Sequence, residues 1–268
     1  MKSLAIFALS TLAAASAFAL TQTPNGAITI SGTSTQTASV TGGSHTNNQA
    51  NGSAYANQNL ASNKGSIVIS GVSDQTASVS SGSNVSNLAT KGGDVAVQNL
   101  ASNVGAVTVG PLSLGGTIFH PVVKGKSEQS VSVANGSGMY NTAEGDGCGD
   151  NCQPAATAIA YQSASSNFGD VTITGNSKQS TGIADGSTAW NLAKGGGAVA
   201  VQNMSSNYGT VDISGKSTQT TWIAGGSTVG NFANGAKAVA YQNLASNDSC
   251  EPPPTVCVGP ACGPFASR

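Results

Sequence analysis

The composition of this 268-residue chain excludes several classes of protein. Charged residues make up 8% of it and aromatic residues 5%, so the chain lacks the side chains for a large aromatic or leucine-rich core. A formal net charge of -1 provides no basic surface, and we therefore predict no nucleic-acid partner.

The first residues have the pattern of a secretory signal peptide. Met1-Lys2 is a short positive region, an apolar run follows from Leu4 to Ala15, and Ala17-Phe18-Ala19 is a small-residue cleavage site. We therefore expect residues 1–19 to be a signal peptide and the mature chain to be secreted, either extracellular or at the cell surface. The apolar run is too short to span a bilayer and no later stretch approaches twenty apolar residues, so we expect no membrane span.

A unit of about forty residues is repeated five times between residues 26 and 247. The copies cover about residues 26–63, 65–103, 105–167, 169–207 and 209–247. Self-similarity at this period is the signature of a stacked repeat architecture. We predict an all-β fold, a β-solenoid of five stacked coils with two strand arms in each coil.

The first arm of each copy has one constant and one variable side. Its constant side includes a pivot glutamine, at Gln36, Gln75, Gln129, Gln179 and Gln219, with a glycine four residues earlier and a serine two residues earlier. The residue just before the pivot is Thr35, Asp74, Glu128, Lys178 or Thr218, as expected on a solvated face. This alternation is typical of a strand, and a Gly-Ser pair seven and eight residues after the pivot predicts a turn.

The second half of each copy contains two more constant amides. An asparagine follows the pivot by twelve residues, at Asn48, Asn87, Asn141, Asn191 and Asn231. A closing glutamine lies near the end, at Gln58, Gln98, Gln162, Gln202 and Gln242, mostly within Gln-Asn-Leu-Ala-Ser-Asn. Both sides of this second arm are partly apolar, so the pattern leaves open which face is buried.

Stacked coils place like residues on like. We therefore predict that the pivot glutamines, the asparagines and the closing glutamines form side-chain amide ladders, each amide bonding to the copies above and below it. The predicted role of all these residues is structural.

Two insertions interrupt the third copy. PLSLGGTIFHP precedes Val122, and EGDGCGDNCQP lengthens the turn after Ala143; both are expected to be loops on the rim. The disulfide candidates are Cys148 and Cys152 in the second insertion and Cys250, Cys257 and Cys262 in a Cys/Pro-rich tail, residues 248–268. Because five is odd, either one thiol stays free or one bridge is intermolecular.

Catalytic chemistry finds little support in the sequence. His45 and His120 have no partner at ligand spacing, and neither a nucleophile motif nor a phosphate loop is present. The acidic and cysteine residues of the second insertion, Glu144, Asp146, Cys148, Asp150 and Cys152, could hold a cation, but a short disulfide loop with solvated acids is the favoured interpretation. We predict no catalytic residue, no metal site, no cofactor and no enzymatic activity.

The second arm resembles the curlin repeat of bacterial functional-amyloid fibres. Gly230-Asn231-Phe232-Ala233 is similar to its Gly-Asn-x-Ala element, and residues 238–247, AVAYQNLASN, are similar to its Ala-x-Ala-x-Gln-x-x-Ala-x-Asn element. The repeats here are longer, about forty residues against a little over twenty. The resemblance implies secretion, self-assembly by end-to-end stacking of coils, and a role in adhesion or biofilm matrix. The implied partners are other copies of the chain and an outer-membrane secretion or nucleator component.

An alternative function is the binding of ice or glycan by a monomeric solenoid. Thr35 and Thr37 in the first copy and Thr218 and Thr220 in the fifth are Thr-x-Thr pairs of the kind that an outward threonine array requires. The middle copies have Asp74 and Thr76, Glu128 and Ser130, and Lys178 and Ser180 at these positions, so charges interrupt the array. A flat threonine array in the structure would favour this alternative, whereas bare, matching end coils would favour assembly.

Overall fold

A computed structural model describes residues 27–52, 54–90, 94–104, 121–145, 158–169, 171–195, 197–208, 211–235 and 238–248. These residues form strands and turns and contain no helix. The predicted signal peptide, most of both insertions, His120, all five cysteines and the tail after Asp248 lie outside the described residues.

The strands fall into five coils of five strands each. Coil 1 contains β1 (Ala27–Ile30), β2 (Thr33–Val40), β3 (His45–Asn51), β4 (Ala56–Leu60) and β5 (Asn63–Lys64). Coil 2 contains β6 (Ser66–Ile69), β7 (Val72–Val79), β8 (Asn84–Thr90), β9 (Ala96–Leu100) and β10 (Asn103–Val104). Coil 3 contains β11 (Pro121–Val123), β12 (Lys126–Val133), β13 (Gly138–Glu144), β14 (Ile159–Ala164) and β15 (Asn167–Phe168).

The last two coils repeat the same order. Coil 4 contains β16 (Val171–Ile173), β17 (Asn176–Ile183), β18 (Thr188–Lys194), β19 (Val199–Met204) and β20 (Asn207–Tyr208). Coil 5 contains β21 (Val211–Ile213), β22 (Lys216–Ile223), β23 (Thr228–Asn234), β24 (Val239–Leu244) and β25 (Asn247–Asp248). Each predicted arm is therefore built from shorter strands separated by bends.

Strands at the same place in successive coils form five parallel sheets of five strands. We number them sheet 1 to sheet 5 after the five strands of coil 1. Pairing is in register with the sequence repeat, so that Gln75 of β7 lies between Gln36 and Gln129. The predicted all-β solenoid of five coils is confirmed. The two insertions of the third copy do not disturb this register, because β12 and β14 still pair residue for residue with their neighbours.

The interior of each coil consists of small and aliphatic side chains. Alanines of sheets 3 and 4, such as Ala89 and Ala96, face each other and form one buried cluster. Their small size allows the two sheets to approach closely. Near the first turn, Val79, Val85 and Leu100 bring sheets 2, 3 and 4 together in a second cluster. The core is therefore thin and repeats in every coil.

Sheet 4 is buried on both faces, which answers the question that the sequence left open. Every residue of β9, β14 and β19 is buried. One face packs on the alanines of sheet 3, and the other carries Val97 and Tyr161 into a cluster with Phe168 and Tyr208 of sheet 5. The Phe168 and Tyr208 rings stack with centroids 5.3 Å apart. The mixed apolar pattern of the second arm reflects burial on both sides.

The predicted Gly-Ser turn requires a left-handed backbone at two successive residues. In coil 3 these are Asn135, with φ 56°, and Gly136, with φ 69°. Positive φ at both central positions favours Gly, Asn and Asp, which explains why glycine is constant at the second position. Each coil has a further left-handed residue, outside this turn, that was not predicted. It is a small Ala or Ser at the corner before sheet 5, such as Ala101 with φ 46°.

The constant glycine before each pivot is required by the contact between coils. A Cβ added to Gly125 would lie 2.1 Å from the carbonyl oxygen of Gly71 in the coil below. The same contact would be 2.0 Å for Gly71 and 2.2 Å for both Gly175 and Gly215. A Cβ added to Gly32, in coil 1, would have nothing within 4 Å, because no coil lies beneath it among the described residues.

This difference gives a matched pair of substitutions. Gly125→Ala forces a methyl group against a backbone carbonyl, so we expect the unassembled protein to lose about 3 kcal/mol of unfolding free energy. Gly32→Ala makes the same change in open space and is expected to leave the unfolding free energy unchanged within about 0.5 kcal/mol. Guanidinium denaturation followed by circular dichroism measures both. Equal losses in the two variants would contradict the stacking contact.

Candidate functional site

The closing glutamines form one continuous amide ladder through all five coils. Each Nε2 donates to the Oε1 of the preceding coil: Gln98 to Gln58 at 2.9 Å, Gln162 to Gln98 at 2.8 Å, Gln202 to Gln162 at 2.6 Å and Gln242 to Gln202 at 2.6 Å. Gln98 also donates to the carbonyl oxygen of Tyr140 at 3.0 Å. These side chains face sheet 3, so the ladder satisfies polar groups that are enclosed between two sheets.

The asparagines of sheet 3 form a second ladder, which runs in the opposite direction. Each Nδ2 donates to the Oδ1 of the following coil at 2.8 Å, from Asn48 to Asn87, Asn141, Asn191 and Asn231 in turn. The same Nδ2 groups also donate across to sheet 4, for example from Asn141 to the carbonyl oxygen of Tyr161 at 2.9 Å. This ladder therefore holds the coils to one another and sheet 3 to sheet 4.

A third ladder was missed by the sequence analysis. It consists of the asparagine five residues after each closing glutamine, and each Nδ2 donates to the following coil, from Asn63 to Asn103, Asn167, Asn207 and Asn247. Asn103 also donates to Ser127 Oγ of the next coil at 3.2 Å. That bond explains the constant serine two residues before the pivot. The signal was present, because this asparagine recurs in every copy.

The pivot glutamines behave differently from the ladder expected of them. Gln75 donates to Gln36 at 3.2 Å, but the pivots of the other coils donate within their own coil to the asparagine of the third ladder. Gln179, for example, lies 2.7 Å from Asn207 Oδ1. The Oε1 atoms of Gln75, Gln129 and Gln179 accept no hydrogen bond. In coils 1 and 3 to 5 the pivot Nε2 donates to the nearby Asn Oδ1 and not to the pivot glutamine of a neighbouring coil. The pivot glutamine therefore mainly links sheet 2 to sheet 5.

Serines connect the turns. The backbone N–H of each turn serine donates to the Oγ of its counterpart in the next coil, from Ser44 to Ser83, Ser137, Ser187 and Ser227, at 3.1–3.2 Å. A side-chain hydroxyl thus satisfies a backbone donor at the tightest point of each coil. The constant serine of the predicted turn has this role.

One column of polar residues is interrupted in coil 3. Asn99 Nδ2 donates to Asn59 at 2.8 Å, and Asn243 Nδ2 donates to Asn203 at 3.0 Å. Ser163 takes the intervening position, between Asn99 and Asn203. Its side chain is shorter than an amide, and the buried Asn203 Nδ2 has no partner. The third copy is therefore irregular within the stack as well as at its insertions.

The variable face of the first arm carries charges in its centre. Glu128 lies 2.8 Å from Lys178 and 2.9 Å from Lys126. A hydrogen bond from Lys178, and to a lesser extent one from Lys126, lowers the pKa of the Glu128 carboxyl. These side chains separate Thr35 of coil 1 from Thr218 of coil 5 in the same column. The described surface has no unbroken threonine array on this column.

The most exposed large apolar side chains lie at one end of the solenoid. Among the described residues, Trp222, Ile223, Phe232 and Leu244 are the large hydrophobic residues that are exposed, and all four belong to coil 5. Ile223 is 39% exposed, although its counterpart Ile183 in coil 4 is fully buried. The ring of Phe232 stacks on Trp190 with centroids 4.3 Å apart. Ile223 and Leu244 continue columns that are buried in coil 4, so coil 5 exposes part of the core there, whereas Trp222 and Phe232 lie at outward positions.

Chemical sites are not apparent in the part of the chain that the structure describes. It contains no group of three or more His, Cys, Asp or Glu residues placed to hold a metal ion. It also contains no helix with the length and apolarity to cross a bilayer. Glu144, from the predicted acidic loop, lies 2.6 Å from Lys194. The other members of that loop lie outside the described residues.

Comparison with known proteins gives no match: neither a protein-family model, nor a curated protein, nor a solved structure is similar to this chain.

Two buried glutamines of coil 3 provide a test of the ladders. Gln162→Leu removes an amide that bonds to the coils on both sides, leaving Gln98 Oε1 and Gln202 Nε2 without their ladder bonds. Gln129→Leu removes a pivot whose Oε1 has no partner. Both side chains are almost fully buried. We expect Gln162→Leu to lower the unfolding free energy by about 2 kcal/mol more than Gln129→Leu. Chemical denaturation of the unassembled variants measures the difference, and a larger loss for Gln129→Leu would contradict the assignment.

Proposed function

We propose that this protein is a secreted structural protein that self-assembles, end to end, into curli-like extracellular fibres for adhesion or biofilm matrix. The observation that carries the proposal is the match between coil 1 and coil 5. The two end coils have the same strands in the same register, and both terminate parallel sheets. A second copy of the chain therefore has the shape and the hydrogen-bonding pattern to continue the stack.

The inward residues of the end coils correspond closely. Equivalent pairs in the repeat register are Ile30 and Ile213, Ser34 and Ser217, Asn48 and Asn231, Ala50 and Ala233, Gln58 and Gln242, and Asn63 and Asn247. In a stack of two molecules each of these would meet its own residue type, as the interior coils do. No ladder would be broken at the junction.

The backbone at the ends supports the same proposal. Within the described residues, no strand pairs with the outer edges of the coil 1 strands or the coil 5 strands. Open edges of parallel strands are templates for the addition of further strands. The exposed apolar side chains of coil 5 add a hydrophobic driving force for covering that end.

The resemblance of the repeats to curlin supports the biological context of the proposal, namely export and a role in adhesion or biofilm matrix. The predicted signal peptide is consistent with export. Binding to ice or glycan lacks comparable support, because Asp74, Glu128 and Lys178 interrupt the threonine column.

The proposal predicts that the purified chain from residue 20 onward forms fibres. We expect electron microscopy to show unbranched filaments that bind Congo red, with fibre diffraction at about 4.8 Å along the axis from the parallel strands. The same preparation without residues 249–268 tests whether the tail is needed. A protein that stays monomeric at high concentration, with and without that tail, would overturn the proposal.

A charge on the exposed core of coil 5 is predicted to stop growth. Ile223→Lys places an ammonium group where the proposed junction is apolar, so we expect filament mass to fall by at least about tenfold at equal protein concentration. Thr220→Lys adds the same charge on the same strand, but at an outward, exposed position. It is expected to assemble like the unmodified chain. Sedimentation of filaments quantifies both variants, and normal assembly of Ile223→Lys would contradict a junction on this face.

A further inference from the structure

Sheet 5 has a column in which only the two end residues are charged. Its second positions are Lys64, Val104, Phe168, Tyr208 and Asp248, from coil 1 to coil 5. The three interior residues are apolar or aromatic and buried. The positive residue lies on the first coil and the negative residue on the last. Charges of opposite sign thus mark the two ends of an otherwise uncharged column.

We infer that the fibre junction joins coil 5 of one copy to coil 1 of the next in the repeat register, so that the strand position of Asp248 in one copy lies next to that of Lys64 in the other. This inference rests on the proposed function and specifies its partner surface. It makes the filament polar, because every subunit points the same way. Heterologous stacking of this kind gives an open filament and not a closed dimer.

The surroundings of Lys64 show why a partner carboxylate would be favourable. Lys64 Nζ donates to Tyr55 Oη at 3.2 Å, and the ion pairs among the described residues do not include Lys64. Burial lowers the pKa of the Lys64 ammonium to about 8 and raises that of the Tyr55 phenol to about 12. A partly buried ammonium without a counter-ion is costly, and an adjacent carboxylate offsets that cost.

The direction of the ladders agrees with the same junction. Closing glutamines donate towards coil 1, so Gln58 of an added copy is oriented to donate to Gln242 of the copy below. Asparagines donate towards coil 5, so Asn231 is oriented to donate to Asn48 of the added copy. Donors meet acceptors at both positions. Contact between two identical ends would instead set the strands antiparallel and lose the repeat register.

The glycine at position 32 provides a steric argument for the same junction. The equivalent glycine of every later coil packs against a carbonyl oxygen of the coil below, whereas a Cβ added to Gly32 would meet nothing within 4 Å. In the inferred junction Gly32 lies over Gly215 of the neighbouring copy, so only glycine fits. Within the described residues nothing requires glycine at this position of coil 1, and stacking on a second copy supplies a reason for it.

Charge reversal tests the pairing. We expect Lys64→Glu and Asp248→Lys each to raise the critical concentration for assembly about tenfold, and the double variant to restore it within about twofold of the unmodified chain. Lys216→Glu is the matched control: it makes the same change in net charge on coil 5, but its counterpart in coil 1 is the neutral Thr33. This control is expected to assemble normally. Circular dichroism and denaturation of each unassembled variant establish that it is folded.

Gly32→Ala gives a second, independent readout. We expect it to fold with unchanged stability but to raise the critical concentration at least about tenfold, because its methyl group meets the backbone of the adjacent copy. If the unmodified chain forms fibres and Lys64→Glu, Asp248→Lys and Gly32→Ala all assemble with unchanged critical concentration, the inferred junction is overturned and the proposed function stands. If the unmodified chain never assembles, both are overturned. Assembly that appears only after residues 249–268 are deleted would identify the tail as the occupant of coil 5 and overturn the junction for the full chain.

Discussion

Every strand of this protein pairs, in parallel and in register, with the equivalent strand of the next repeat. This pairing limits the residue types that each position accepts, because every side chain lies next to the equivalent side chain of the neighbouring coil. Amides satisfy the requirement best, since one group donates while its copy accepts. Like charges do not, and the low charge of the chain follows. Two neighbouring pairs on the described surface are of opposite sign, Glu128 with Lys178 and Glu144 with Lys194, although Asp74 and Glu128 are like-charged neighbours in one column.

The same pairing explains why the sequence predicted the fold. In this solenoid, residues one repeat apart in the sequence are paired in neighbouring strands. An alignment of the copies therefore also gives the register of the strands. The closing glutamines and the asparagines of sheet 3 were placed for the same reason, because each needs only its own copy as partner. The turn glycines were equally visible, since a left-handed backbone restricts the residue type locally.

Two features that the sequence did not reveal depend on contacts between different strands of one coil. The pivot glutamine recurs as regularly as the closing glutamine, yet in coils 3 to 5 it bonds across the coil to an asparagine of sheet 5. A repeat period cannot distinguish these cases, because both produce one constant glutamine. Burial of sheet 4 on both faces was hidden similarly: apolar residues on both sides of a strand fit either two buried faces or one buried face and one surface for a partner.

The interactions that stack one coil on another do not depend on whether the two coils belong to the same chain. The strand register and the ladders of closing glutamines and sheet 3 asparagines recur from coil 2 to coil 4. In sequence, an end coil therefore differs from an interior coil mainly at the few positions where its residue type departs from the rest of the column, such as Lys64 and Asp248 in sheet 5.

The core is thin, and a coil encloses little volume of its own. Its side chains are therefore fully buried only when coils lie on both sides. Ile183 in coil 4 meets this condition, and Ile223 in coil 5 does not. An end coil is thus an incomplete part of the core, and covering it with a matching coil is the same physical process that folds the chain.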